Sequence, residues 1–203
     1  MPRTNSNAVE TTSGQIEVYS STARSFHWLV VLLIAIQIPV GLYMVYRGTD
    51  LNIWDATTNQ LYSGHKLTGV VILFLVLLRL AYRLIAGAPS PEPTLEPWQR
   101  TISALNHWGL YLLLLIVPIL GYIGVSMYPA LDIFGLFKLP ALVEPDKKMS
   151  TTVFLWHFYG AMALLALIGL HVCAALFHLV IRQDNVMGRM WPGALRKPSP
   201  PLN

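Results

Sequence analysis

Four long apolar runs constrain this chain more than any other feature. They cover residues 28–46, 67–82, 108–128 and 153–181 of 203. A helix that crosses the ~30 Å hydrocarbon core of a bilayer needs roughly 20 predominantly apolar residues. The second run is the shortest and contains Arg79, yet it is continuous enough to span. Only 12% of the residues are charged, about half the share usual in a soluble domain. The expected fold class is all-α: an integral membrane four-helix bundle.

The rest of the chain fits around those runs. Residues 1–18 are polar and read as a disordered N-terminal tail, 19–193 as one four-helix domain, and 194–203 as a C-terminal tail. The first apolar run is too long for the h-region of a signal peptide and lacks a small-residue cleavage site, so it is expected to remain as helix one. If both termini and the connection between helices two and three share one side, that side carries nine Lys and Arg and the other five. The positive-inside rule then puts both termini in the cytoplasm. That distribution accounts for the net charge of +4 without nucleic acid as a partner. There is no Gly-rich phosphate loop and no CxxC pair. Cys173, the single cysteine, can form no internal disulfide and is expected to pack inside the bundle. The segment APSPEPTLEPW reads as a stiff connection, and FGLFKLPAL, in the longest loop, as a moderately apolar stretch along the outer membrane surface.

Against this apolar background the histidines stand out, because polar residues inside a membrane are costly and mark functional candidates. His157 and His171 are 14 residues apart. At ~100° and ~1.5 Å per residue they fall within about 40° of one face and ~21 Å apart along it. His27 opens helix one on the cytoplasmic side, at the depth of His171. His65 opens helix two on the opposite side, at the depth of His157. Two transverse pairs result, His65/His157 and His27/His171. Bis-histidine ligation suits a low-spin haem b that transfers electrons. Zinc prefers four ligands, and only two imidazoles are available at each depth.

Several neighbours are candidates for supporting roles. Arg79 and Arg83 share one face at the cytoplasmic end of helix two and read as snorkelling cations, propionate partners or the lining of a quinone pocket. Lys66 is placed to hold propionates or steer a small anion, or simply to snorkel. His107 reads as interfacial or adjacent to a ligand. His178, at the cytoplasmic edge, is a candidate for proton handling at a quinone. Gly69, Gly160 and Gly169 either leave room for a porphyrin or serve helix packing. Pro39 with Gly41, and Pro118 with Gly121 and Gly124, are expected to bend helices one and three. Trp28, Trp108 and Trp156 read as interfacial belts, with Trp156 also a candidate haem neighbour.

The stretches YSSTARSFHWLVVLLI, LYSGHKLTGVVILFLVLLRLAYRL, NHWGLYLLLLIVPILGY, FGLFKLP and WHFYGAMALLALIGLHVCAALFHLVIRQDNVMGRMWPG resemble the bacterial cytochrome b561 family of four-helix, di-haem membrane proteins, over roughly residues 18–193. The resemblance implies two haems b ligated by His27, His65, His157 and His171, a bacterial inner-membrane location, and ubiquinone or another quinone as acceptor near His178. It implies two possible roles. One is a stand-alone protein similar to a superoxide oxidase, with a small periplasmic anion as donor. The other is a cytochrome b subunit serving a periplasmic dehydrogenase, hydrogenase or c-type cytochrome. A non-redox membrane anchor and a metal-ion transporter are the remaining alternatives.

Overall fold

The computed structural model describes residues 17–191 and Gly193. The expected tails fall outside the described residues, except for Glu17 and Val18. Four helices dominate: α1 (Ser21–Val45), α2 (Ala56–Ala86), α3 (Pro97–Met127) and α4 (Lys147–Phe177). A π-helical turn, Tyr46–Asp50, extends α1, and another, His178–Arg182, extends α4. All four helices are long and apolar enough to cross a membrane. They outrun the apolar stretches because polar caps lie beyond the hydrocarbon. Ser20 caps α1 through its hydroxyl, which accepts from the Ala23 N–H, while Asp55 and Asp146 cap α2 and α4. α3 begins with Glu96 and Gln99 in a reciprocal capping box and Pro97 in its first turn, where a missing N–H costs nothing. α2 stops at Gly87, whose φ of 75° only glycine adopts cheaply.

The helices run alternately up and down, so the two ends of the described chain lie together. Tyr19 donates its N–H to the Arg189 carbonyl, and the Trp28 indole donates to Met190 O. The α2–α3 connection joins them. The Ser90 N–H reaches the Glu17 carboxylate, and Arg182 donates to Thr94 O. We call this the terminal end. At the opposite end the α3–α4 connection folds into a small antiparallel hairpin, β1 (Asp132–Ile133) with β2 (Phe137–Lys138). The expected surface stretch, residues 134–142, is exposed along its length except at the half-buried Leu139. Ile133 is fully buried, and the turn is closed by Phe134 and Gly135 in left-handed backbone. The rest of the hairpin is exposed, most of all Leu136 at 81%.

α1 packs on α2, α2 on α3, and α3 on α4. The central core is Val30, Ile72, Val76, Tyr111, Leu114 and Leu164. Other large apolar side chains, among them Leu32, Phe74, Leu112 and Val180, point away from the bundle, as lipid contact requires. Cys173 belongs to that outward set. The expectation that it packs inside fails because His171 occupies the interior face, and a residue two positions on is rotated ~200° around the helix.

Candidate functional site

The structure brings the four histidines together in the two pairs expected. His65 and His157 meet near the hairpin end with ring centroids 6.1 Å apart and an interplanar angle of 86°. His27 and His171 meet near the terminal end at 6.2 Å and 76°. Metal–imidazole bonds run ~2 Å, and the ring centre lies ~1.1 Å behind the ligating nitrogen. Two imidazoles on opposite sides of one metal therefore stand ~6.2 Å apart. Both pairs fit that spacing. His107 approaches His171 more closely, at 5.2 Å, too near for a metal between them.

The ring nitrogens are prepared for the same chemistry. The His157 Nδ1–H donates to Val117 O at 2.8 Å, which fixes the tautomer and leaves Nε2 with its lone pair. The buried Nδ1 atoms of His27 and His65 have no hydrogen-bond partner, a costly arrangement for polar atoms in an apolar bundle. The His107 Nδ1–H donates to Ser103 O at 2.6 Å, so His107 stands beside the pair with its ring held by its own helix.

Two glycines back the hairpin-end pair. A Cβ on Gly41 of α1 would lie 2.8 Å from the His65 ring, and a Cβ on Gly121 of α3 would lie 3.0 Å from the His157 ring. Gln37, one turn before Gly41, donates its side-chain amide to His65 O at 2.8 Å and ties α1 to α2 at that level. The glycines singled out from sequence behave differently. Gly160 accommodates Val117 and Gly69 faces Gln37, both helix packing, while Gly169 has open space beside it. Gln37 was missed, and Gly41 and Gly121 were read only as companions of Pro39 and Pro118, although a signal for more existed. Gly41 lies 14 residues after His27, and Gly121 lies 14 after His107, the same spacing as His157 and His171.

Around the hairpin-end pair lies a cavity of about 1450 Å³ lined by His65, His157, Gly41, Gly121 and residues of the hairpin. Ordinary ligand pockets hold ~300–1,000 Å³, so the space suits a large planar group. At the terminal end, the Arg79 guanidinium lies over the Tyr111 ring at 5.2 Å, and Arg83 lies between the Trp108 and Tyr111 rings at about 6 Å. Lys66 is turned into the hairpin, donating to Ala130 O at 2.8 Å and Asp132 O at 2.5 Å. His178 is buried at the foot of α4, paired with the Asp184 carboxylate at 2.6 Å, and Arg182 approaches the same carboxylate at 3.6 Å. Trp156 is 57% exposed and faces outward, in a belt position rather than beside the imidazoles.

Four membrane spans with half-buried imidazole pairs at two depths define a membrane haem protein of the cytochrome b class. The profile of the prokaryotic cytochrome b561 family matches residues 18–193, and the chain belongs to that family. It is 29% identical over 175 residues to cytochrome b561 homolog 2 of Escherichia coli K12, covering 86% of this chain and 91% of that protein. It is 29% identical over 180 residues to a probable superoxide oxidase, CybB, of Yersinia pestis, covering 86% and 96%. Cytochrome b561 homolog 1 of E. coli K12 is 28% identical over 178 residues, covering 86% and 97%. The chain is thus a haem b protein of membrane electron transfer.

Proposed function

We propose that this chain holds two haems b and passes single electrons from a donor at the hairpin end to a quinone at the terminal end. The observation that carries the reading is the spacing of the two imidazole pairs, 6.1 and 6.2 Å between centroids. His65 and His157 would hold one haem, His27 and His171 the other. Bound there, haem iron supplies a one-electron couple that cycles without exchanging its ligands. The two levels are separated by ~21 Å along α4, most of the ~30 Å membrane core.

The chain's own residues set the conditions at each end. Arg79 and Arg83 give the terminal end fixed positive charge for carboxylates of the cofactor or for a quinone oxygen. His178 holds its Nδ1–H against Asp184, which leaves Nε2 able to accept or deliver a proton where quinone chemistry needs one. The Lys and Arg distribution supports a cytoplasmic terminal end, with the hairpin end across a bacterial inner membrane and facing the donor. A small anion, superoxide, is the donor we favour. One relative bears the name probable superoxide oxidase.

Haem counted per chain in the purified protein tests the cofactor reading. Two low-spin haems b are expected in the wild type, and one in His65→Ala or His27→Ala. Full haem content in both variants overturns the ligand assignment. The donor is tested by adding superoxide and ubiquinone to the protein. Quinol should form faster than in a protein-free control, and no acceleration excludes superoxide in favour of a protein donor.

A further inference from the structure

We propose that Lys66 is a positioning residue: its ammonium fixes the Asp132–Lys138 hairpin across the mouth of the cavity around His65 and His157, and so restricts the donors of that pair to small molecules. The second half rests on the redox reading of the pair; the first does not. A lysine at the end of a membrane helix ordinarily snorkels its ammonium into water. Lys66 instead turns it into protein, donating to the carbonyls of Ala130 and Asp132 at 2.8 and 2.5 Å. These carbonyls bracket the entry to β1. The Asp132 carboxylate accepts from the Gly135 N–H within the hairpin turn at 2.8 Å, so the ammonium's hydrogen bonds go to the backbone.

A second anchor lies on the same face of α2. Ser63, three residues before Lys66 and therefore its neighbour on the helix surface, accepts from the Phe134 N–H at 3.1 Å. Two side chains of one helix thus grip both ends of β1, with Ile133 fully buried between them. The Leu139 N–H closes the loop onto Leu131 O at 3.0 Å, and Tyr122 of α3 donates its hydroxyl to Pro140 O at 2.9 Å. Ala130, Asp132, Phe134 and Leu139 line the cavity that His65 and His157 line. A protein docking from outside would meet the hairpin's outer surface and be kept a loop's thickness from the imidazoles, whereas a small molecule passes at its flank. Charge-assisted hydrogen bonds are about twice as strong as neutral ones, which makes Lys66 the strongest single tie.

Clamping and anion steering give opposite signs in one experiment. The haem-loaded, full-length protein is prepared as wild type, Lys66→Met and Lys66→Arg. Hydrogen exchange is followed on peptides covering residues 130–140. The clamp predicts exchange at the Phe134, Leu136 and Leu139 amides at least about tenfold faster in Lys66→Met, with Lys66→Arg between the two. Each protein is then reduced and oxidised with ferricyanide, a bulky trianion that takes one electron. The clamp predicts faster oxidation in Lys66→Met, and steering predicts slower. Unchanged exchange in Lys66→Met overturns the clamp whatever the haem content. Faster exchange with slower ferricyanide oxidation overturns the restriction on donors. Failure of the redox reading itself appears separately, in the haem count of the wild type.

Discussion

Gly41→Ala puts the cofactor geometry to its sharpest test, because a single methyl group is enough. The new Cβ would stand 2.8 Å from His65 Cε1 and 3.2 Å from Nδ1, where ordinary contact begins at 3.4 Å. The ring must therefore retreat by 0.6 Å. α1 cannot slide away, since Gln37 holds it to the His65 carbonyl one turn earlier. Nor can His157 recede, since its ring already lies 3.0 Å from where a Cβ on Gly121 would be and is bonded to Val117 O. A ring displaced by 0.6 Å disturbs the 6.1 Å spacing, which now fits the ~6.2 Å that two metal–imidazole bonds require. Displacing a metal ligand by its surroundings typically lowers affinity 10–100-fold, about 1.4–2.7 kcal/mol. The helix itself gains from alanine by up to ~1 kcal/mol, so haem retention falls while the helix is not weakened. The assay is haem per chain after gel filtration, with low-temperature EPR to count low-spin centres. One centre should be lost or turned high-spin, and the His27/His171 centre kept. Full retention of both centres in Gly41→Ala refutes the cradle.

Three further outcomes are expected. Arg79→Gln should lower the midpoint potential of the terminal-end haem by on the order of 50 mV, because Arg79 lies within electrostatic reach of His27, His107 and His171; a redox titration in which both haems shift equally would refute a local effect. Asp184→Asn removes the charged partner of His178 and of Arg182 and should cost ~1–3 kcal/mol of stability, read as a lowered melting temperature with haem content unchanged. Asp55 is held below the usual carboxylate range, chiefly by the Thr58 N–H and also by Arg47. Its contribution is therefore complete above its unfolded value of ~3.9 and fades as pH falls through the lower folded value. Asp55→Asn should flatten the acid limb of the stability curve, and an unchanged limb would count against this cap.

Much of the architecture was legible because bilayer thickness and helix rise leave few choices for four apolar runs. The pairing of His65 with His157 and of His27 with His171 was legible for the same reason, since depth in the membrane converts residue number into height. The 14-residue interval carried more than those pairs. It joins His27 to Gly41, His65 to Arg79, His107 to Gly121 and His157 to His171, one pair on each helix. Gly41 and Gly121 passed as companions of Pro39 and Pro118, because a glycine's use depends on what a neighbouring helix points at it. The hairpin was not legible either. Two-residue strands leave almost no periodic signal, and their hold on α2 comes from Lys66 and Ser63, 64 to 71 residues away in sequence.

The apolar core has a functional position as well as a structural one. Leu164 lies seven residues from both His157 and His171, midway between the two levels. With Val30, Ile72, Val76, Tyr111 and Leu114 it forms a buried layer there that is apolar but for one phenol. Tyr111 is the only hydroxyl of that cluster, and Arg79 covers its ring from the terminal side. Gln37 on α1 spends its amide on the His65 carbonyl. On the proposed reading, electrons cross this layer and protons do not. The protons that a reduced quinone takes up must then enter at the end where the quinone binds. His178 and Asp184 form their buried pair at that end, below the layer and on the opposite side from the hairpin. On that reading the bundle would separate the two halves of quinone chemistry, with paired imidazoles at two depths for the electron and the His178–Asp184 pair at one end for the proton.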